Sequence, residues 1–154
     1  MTIEPTRIET ASGPDAAYQE FLAQGEFRIQ QCDACARHVF YPRVLCPHCG
    51  STQLGWRMAS GNGVVYACSV IMGKPGTNSD YAVVLVDLQE GVRLMSHVVD
   101  CDQHAVTIGM PVSARIIEKE GKPLVVFAPA HASRNGNCVN SATTSRESFL
   151  DAAW

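Results

Sequence analysis

The stretch CDACARHVFYPRVLCPHCG, residues 32–50, contains two Cys-x2-Cys pairs separated by ten residues. Four thiolates carried on two short turns suit a tetrahedral Zn²⁺ ion in a closed structural site. His48 lies between the last two cysteines and is the alternative nitrogen ligand nearby. Gly50 follows the last cysteine, and glycine is the residue that turns with positive φ favour. We therefore predict that the metal ligands are Cys32, Cys35, Cys46 and Cys49.

Other chemistries of this cysteine pattern fit the chain less well. A catalytic zinc commonly has three protein ligands and one open position, so four thiolates argue against a Lewis-acid site. A rubredoxin-like iron centre uses the same spacing, but no other feature of the sequence indicates electron transfer. A thioredoxin-type motif needs one pair in a βαβ setting, which this sequence lacks. We interpret the metal as a substitute for the apolar core that a module of about 30 residues cannot build, so that metal binding and folding are coupled.

The composition predicts a soluble globular protein. The 154 residues are 46% hydrophobic and 18% charged, and no apolar run approaches the roughly 18 residues that span a bilayer. The first 14 residues show no charged region followed by an apolar one, which predicts a cytoplasmic protein. Seven cysteines is an odd number and disfavours a complete disulfide framework. The formal net charge of -3 gives no overall attraction to nucleic acid.

Patterning divides the chain into an N-terminal helical segment, a zinc ribbon, a barrel and a flexible tail, at residues 1–26, 27–58, 59–130 and 131–154. Ser12 is expected to cap a short amphipathic helix over residues 14–24, which Gly25 ends. Its apolar face would hold Tyr18, Phe21 and Leu22. A helix this short is marginal alone, so we expect it to dock on the protein's own core, with a partner protein as the alternative.

The barrel segment predicts a mainly β fold. Five runs rich in β-branched residues follow one another from Gly63, separated by Gly, Pro, Asn and Asp. Turn residues predict a tight hairpin between the second and third runs and another between the fourth and fifth. Residues 101–109, between the third and fourth runs, form a longer connection with room for a helical turn. This order is typical of an OB-fold. The expected architecture is a short helix, a rubredoxin-like zinc ribbon and a five-stranded OB-fold barrel.

The sequence identifies no catalytic residue. It contains no nucleophile elbow, no Gly-rich phosphate loop and no carboxylate pair in an evident pocket. His97, on the third barrel strand, is interpreted as a structural hydrogen-bonding residue. A free-standing enzyme using His97 or Cys101 is the least favoured hypothesis. Asp102 and His104 share a polar loop, which alone does not make a catalytic dyad.

Cationic and aromatic side chains lie between the cysteine pairs and on their flank, at Arg37, Phe40, Tyr41, Arg43 and Arg57. Such residues can hold phosphates or bases, form a protein interface, or simply cover the metal site. Lys74 lies in the first inter-strand loop of the barrel, where OB-folds often contact ligands, with a solvated turn as the alternative.

Several separated motifs occur in a fixed order: CDAC at 32–35, YPR at 41–43, CPHCGS at 46–51, Trp56, GNGVVY at 61–66 and IGMPV at 108–112. Together they resemble the bacterial and archaeal zinc-ribbon plus OB-fold proteins associated with acyl-CoA metabolism, a family described as a domain of unknown function. The resemblance covers about residues 14–130 and leaves the tail unassigned.

This resemblance implies a mostly non-catalytic partner of thiolase-superfamily enzymes, such as thiolases, aldolases and some acyltransferases, with relatives that pair with hydratase-like subunits. It implies a hetero-oligomer, a structural Zn²⁺ and a CoA thioester shared with the partner. The six residues expected to contact CoA or the partner are then Arg37, Phe40, Tyr41, Arg43, Arg57 and Lys74. A single-stranded nucleic-acid binder is the alternative function, although the few cations of residues 61–130 argue against it.

Overall fold

The computed structural model describes residues 13–77 and 79–130. It contains one helix, a three-stranded sheet and a five-stranded sheet. The elements in chain order are α1 Pro14–Ala23, β1 Arg28–Cys32, β2 His38–Val39, β3 Leu54–Met58, β4 Asn62–Ile71, β5 Tyr81–Leu88, β6 Arg93–His97, a 3₁₀ turn Gln103–Ala105, β7 Pro111–Lys119 and β8 Lys122–Pro129. The expected mainly β architecture is confirmed, while residues 1–12 and the expected tail at 131–154 lie outside the described residues.

Helix α1 is found where the apolar spacing predicted it. It ends at Ala23, and Gly25 closes the turn after it, with a φ of 80° and its N–H donated to the carbonyl of Leu22 at 2.9 Å. The expected hydroxyl cap is wrong: the N-cap is Gly13, without a side-chain cap, and Ser12 lies outside the described residues. Pro14 at the first helical position explains the start, because its fixed φ is helical and it has no N–H to satisfy.

The ribbon sheet has the strand order β2-β1-β3, and both pairings are antiparallel. Strand β1 is central and pairs Gln30 with Val39 on one side and with Trp56 on the other. The chain leaves β3 at Met58 and enters the barrel at Asn62. The ribbon and the barrel are therefore joined by only a few residues.

The barrel sheet has the order β6-β5-β4-β7-β8. Its two ends meet through a parallel bridge between Val98 and Phe127, where the N–H of Val99 donates to the carbonyl of Phe127 at 2.8 Å. Three antiparallel strands, a long connection carrying the 3₁₀ turn, and a hairpin whose last strand returns parallel to the third make an OB-fold topology. The expected helical turn between the third and fourth strands is confirmed at residues 103–105.

One apolar core joins the helix, the ribbon and the barrel. Tyr18 and Leu22 of α1 and Phe27 and Ile29 of the ribbon belong to the same buried cluster as Phe127 at the barrel centre. Each fully buried large apolar side chain contributes about 1.5–3 kcal/mol of transfer free energy. The helix thus docks on the protein's own core, as expected. None of the helices in the described residues is long and apolar enough to cross a lipid bilayer.

Candidate metal centre and its surroundings

The four predicted ligand sulfurs converge in the ribbon. All four Sγ atoms lie within 4.8 Å of one another, with 3.6 Å between Cys32 and Cys49 and 3.7 Å between Cys35 and Cys46. A tetrahedral zinc ion with Zn–S bonds of about 2.3 Å separates its sulfurs by about 3.8 Å. The spacing of the thiols therefore fits one tetrahedral ion. Among the described residues, this is the group of His, Cys and carboxylate side chains that could hold a metal.

Two matching turns present the sulfurs. The carbonyl of Cys32 accepts the N–H of Ala36 at 2.8 Å, and the carbonyl of Cys46 accepts the N–H of Gly50 at 2.9 Å. In both turns the N–H of the first cysteine also donates to the carbonyl five residues later, at 2.9 Å. Ala36 and Gly50 both have positive φ, of 60° and 74°. A positive φ was expected at Gly50 from its residue type, whereas the sequence signal at Ala36 is its equivalent place after the first cysteine pair.

Replacing Ala36 with glycine is expected to stabilise the metal-loaded protein by about 0.5 kcal/mol, because glycine adopts positive φ without the cost of a Cβ. Ala34→Gly is the matched control within the same turn: Ala34 has no positive φ, so the added backbone entropy should destabilise by about 0.5–1 kcal/mol. Chemical unfolding with saturating zinc measures both. Changes of the same sign in the two variants would contradict the strain assigned to Ala36.

The pKa values of two of the closely packed thiols shift in opposite directions. The backbone N–H of Cys35, opposed by burial and helped by the N–H of Ala34, lowers the pKa of Cys32 to about 7. The N–H of Ser51 acts to lower the pKa of Cys49, but its contact with Cys32, burial and the other thiols together raise it to about 12. Thiols packed this closely cannot all ionise at neutral pH unless a metal ion compensates their charge.

His48, the alternative ligand, does not belong to the cysteine cluster. Its side chain is exposed, and its Nδ1 lies 3.3 Å from a guanidinium nitrogen of Arg37. Val39, buried, and Leu54, partly buried, pack against the cysteines. The geometry therefore favours four sulfur ligands within an apolar surround.

The two aromatic residues of the cationic and aromatic set join the ribbon to the helix. The ring of Tyr18 meets those of Phe40 and Tyr41 edge to face, at centroid distances of 5.8 and 5.9 Å. The Tyr41 hydroxyl also donates to the carboxylate of Asp15. Phe40 packs against the main core and not against the cysteine cluster. Phe40 and Tyr41 therefore do not cover the metal site. Tyr41 is 45% exposed.

Three exposed arginines differ in how they are held. Arg57 reaches across the ribbon to Asp33, with 3.3 Å between nitrogen and oxygen. Arg43 is positioned through its backbone, since the buried amide of Gln30 donates to its carbonyl at 3.0 Å and accepts its N–H at 2.7 Å. Arg37 adjoins His48. The sequence alone does not reveal the role of Gln30. Gln31 next to it is the same residue type, and only the folded structure shows which of the two side chains points towards Arg43.

Lys74 lies apart from the ribbon residues. It is exposed in the β4–β5 loop, where its carbonyl accepts the N–H and the hydroxyl of Thr77 at 3.0 and 2.7 Å. Strand β4 is ten residues long, so roughly 30 Å of strand separates this loop from the end of the ribbon. The structure therefore does not bring all six predicted contact residues into one site.

The barrel histidines make structural contacts. His97 stacks edge to face on Tyr81 at 5.4 Å, and its Nδ1 lies 3.3 Å from the carbonyl of Ala82. Burial lowers the pKa of His97. Beside it is an apolar crevice of about 200 Å³ that Ile117 and Leu124 also line.

His104 pairs with Asp80 and not with its sequence neighbour. Its Nε2 lies 3.1 Å from a carboxylate oxygen of Asp80, whereas Asp102 accepts the backbone N–H of His104 at 2.9 Å. A hydrogen bond from the N–H of Gly73 and the contact with His104 lower the pKa of Asp80. This pair ties the β4–β5 loop to the 3₁₀ turn.

The fold and the cysteine site define a zinc-ribbon plus OB-fold protein. Two family profiles match consecutive parts of the chain: the ChsH2 rubredoxin-like zinc ribbon domain over residues 20–55, and the ChsH2 C-terminal OB-fold domain over residues 56–116. A DUF35 domain-containing scaffold protein of Methanocaldococcus jannaschii is 33% identical over 102 residues, which are 62% of this chain and 72% of that protein. The chain belongs to the ChsH2 (DUF35) family, as its motifs predicted.

Two further relatives are named as parts of enzymes, one of an aldolase and one of an enoyl-CoA hydratase. One chain of the solved Ltp2-ChsH2(DUF35) aldolase is 35% identical with a TM-score of 0.68, and the match covers 80% of this chain and 100% of that chain. A probable enoyl-CoA hydratase alpha subunit of Thermomonospora curvata is 36% identical over 119 residues, or 75% of this chain. The present chain spans only 37% of that hydratase subunit.

Proposed function

We propose that this protein is a non-catalytic accessory subunit of an acyl-CoA enzyme. The supporting observation is its similarity to a whole chain of the Ltp2-ChsH2(DUF35) aldolase, which extends over both the ribbon and the barrel. A shared two-domain architecture at 35% identity supports a shared manner of assembly. The partner proposed is a thiolase-type or aldolase-type enzyme that makes or breaks a carbon–carbon bond in an acyl-CoA.

In this proposal Cys32, Cys35, Cys46 and Cys49 bind a structural Zn²⁺. The bound ion would fix the two turns and compensate the charge of the thiolates. Four sulfur ligands leave no open position for a substrate, so the metal's contribution is to folding. The ribbon then offers a rigid surface to the enzyme.

The predicted contacts divide between the two domains. Arg37, Tyr41 and Arg43 are exposed on the ribbon between the metal turns, where guanidinium groups could contact CoA phosphates or the enzyme. Phe40, half-buried, would support this surface from below. Arg57, paired with Asp33, and Lys74, on the distant barrel loop, would contact the enzyme itself.

The proposal is tested by purifying the tagged chain from cells of its source, identifying bound proteins by mass spectrometry and counting metal in the same sample. We expect an acyl-CoA enzyme in near-equimolar amount and about one zinc per chain. The control for non-specific capture is the same tagged wild-type chain refolded without metal. Recovery of the zinc-loaded chain without any acyl-CoA enzyme would sink the proposal.

A further inference from the structure

We propose that the apolar crevice beside His97 binds a small amphipathic carboxylate whose body is an aliphatic chain or a single ring. The crevice has a volume of about 200 Å³ and lies where the start of β5 and the end of β6 meet the β7–β8 hairpin. Tyr81 lines it and pairs with Ile71 at the far end of β4, whereas the ribbon joins β4 at Asn62. The site is therefore separate from the ribbon contacts proposed above and does not depend on an enzyme partner.

The crevice suits a hydrocarbon body. Of the residues that line it, Val98 and Val126 are each 1% exposed, and Ile117 and Leu124 are each 37% exposed. The two buried valines form its floor and the other two side chains its rim. A dry apolar cavity of about 150 Å³ accepts benzene, so a crevice of this volume has room for about six to eight carbon atoms.

The opposite wall is polar, and its side chains are held in place. The ring of His97 packs edge to face on Tyr81 at 5.4 Å, and its Nδ1 lies 3.3 Å from the carbonyl of Ala82. The side-chain carbonyl of Gln103 accepts the N–H of Ala82 at 2.8 Å. Burial lowers the pKa of His97 against the hydrogen bond with Ala82, and the ammonium of Lys119 lowers it further. The wall is thus preformed, and the neutral form of its imidazole is favoured.

Positive charge borders the crevice. Lys119, which lines it, and Lys122 are directly opposite each other across the β7–β8 hairpin. Both share one face of the hairpin with Ile117 and Leu124, because side chains two residues apart on a strand point to the same side. Glu118 also lines the crevice, but by the same alternation its carboxylate lies on the other face of β7. Like charges directly opposite each other destabilise a sheet, so an anion beside both ammonium groups relieves their repulsion.

The lysines are available to an anionic ligand. Within residues 13–77 and 79–130, neither Lys119 nor Lys122 forms an ion pair with a carboxylate. Lys119 is half-buried, and a charge near apolar surface attracts an opposite charge more strongly than one in open water. A pocket for hydrocarbon with cations on one side recognises a carboxylate that has an apolar body. A neutral hydrocarbon or an amine fits it less well.

The test is the binding of octanoate to the zinc-loaded full chain, followed through the NMR shifts of its backbone amides. We expect saturable binding with a dissociation constant below about 1 mM and the largest shifts at Val98, Ile117 and Leu124. Octylammonium has the same chain and the opposite charge. It should bind at least about tenfold more weakly.

Three variants separate charge from apolar contact. Lys119→Gln should weaken octanoate binding at least about fivefold and reduce its advantage over octylammonium. Leu124→Ala should weaken both ligands about threefold or more, because it removes apolar contact from the rim. Arg37→Gln is the matched control: it removes one positive charge from the ribbon, beyond the length of β4 and well outside the screening length of about 10 Å. Its dissociation constant should change by less than about twofold, and circular dichroism checks the folding of all three.

The outcomes that overturn the site differ from one another. Equal affinity for octanoate and octylammonium overturns the preference for a carboxylate. Equal weakening by Lys119→Gln and Arg37→Gln, or the absence of saturable binding by the folded chain, overturns the crevice as the site. Crevice shifts that depend on the concentration of the protein and not on octanoate show a second copy there and also overturn it. None of these results bears on the enzyme partner, which the purification above tests separately.

Discussion

Cys32→Ser is expected to lose the metal and unfold the ribbon. Cys32 is fully buried, and its sulfur lies 3.6 Å from that of Cys49. A structural zinc site of this kind contributes on the order of 10 kcal/mol to folding, and a module this small has little apolar core to replace it. Because Phe27 and Ile29 of the ribbon share the main core with the barrel, the loss should also lower the stability of the barrel.

The measurement is the zinc content after dialysis against a chelator under conditions in which the wild type keeps its metal. We expect about one zinc per chain for the wild type and none for Cys32→Ser. Cys68→Ser is the matched control, because Cys68 lies on β4, outside the cluster, where its thiol contacts the carbonyl of Val106 at 3.5 Å. Full zinc retention by Cys32→Ser, or equal loss from Cys68→Ser, would show that the ligands are assigned wrongly.

Gln30→Ala is expected to cost about 2–3 kcal/mol of unfolding free energy. The Gln30 side chain is 4% exposed, and its amide satisfies both the carbonyl and the N–H of Arg43. Alanine leaves these backbone groups without their partner, and each unsatisfied buried group costs about 1–3 kcal/mol. The loop that carries Tyr41 and Arg43 should loosen, so the affinity for the enzyme partner should fall as well. Gln30 would therefore act as a positioning residue.

Urea unfolding of the zinc-loaded protein, together with the dissociation constant of the complex, tests this role. Gln31→Ala is the control: its amide donates to the carbonyl of Ala36 at 3.1 Å in an exposed setting, so the cost should be below about 1 kcal/mol. Equal losses in the two variants would contradict the importance of the buried contact. Unchanged partner affinity in Gln30→Ala would remove the link to binding.

Much of the architecture could be predicted from local patterns. The spacing of Tyr18 and Leu22 located a helix, and the runs of β-branched residues located five strands. Hairpin signals and the long third connection then indicated the OB-fold order. The expected hydroxyl cap at Ser12 was wrong because Gly13 occupies the N-cap position, and Pro14 at the first helical position has no N–H that needs a partner.

Contacts between distant residues could not be predicted in this way. Tyr18 meets Phe40, and Gln30 holds Arg43, only because the fold brings α1, β1 and the loop after β2 together. The separation of Lys74 from the ribbon arginines likewise depends on the length and direction of β4. Single-residue identity carries no information on such distances.

By itself the sequence determined the metal centre, because all four sulfurs lie within 18 residues and the coordination geometry then dictates how two short turns must face each other. It also determined that β5 is apolar except at Asp87. Only the tertiary structure decided which of these apolar side chains the protein itself buries. The register with β4 and β6 leaves Tyr81, Val83 and Leu85 on the outside, since a strand has two faces and the barrel core can cover only one.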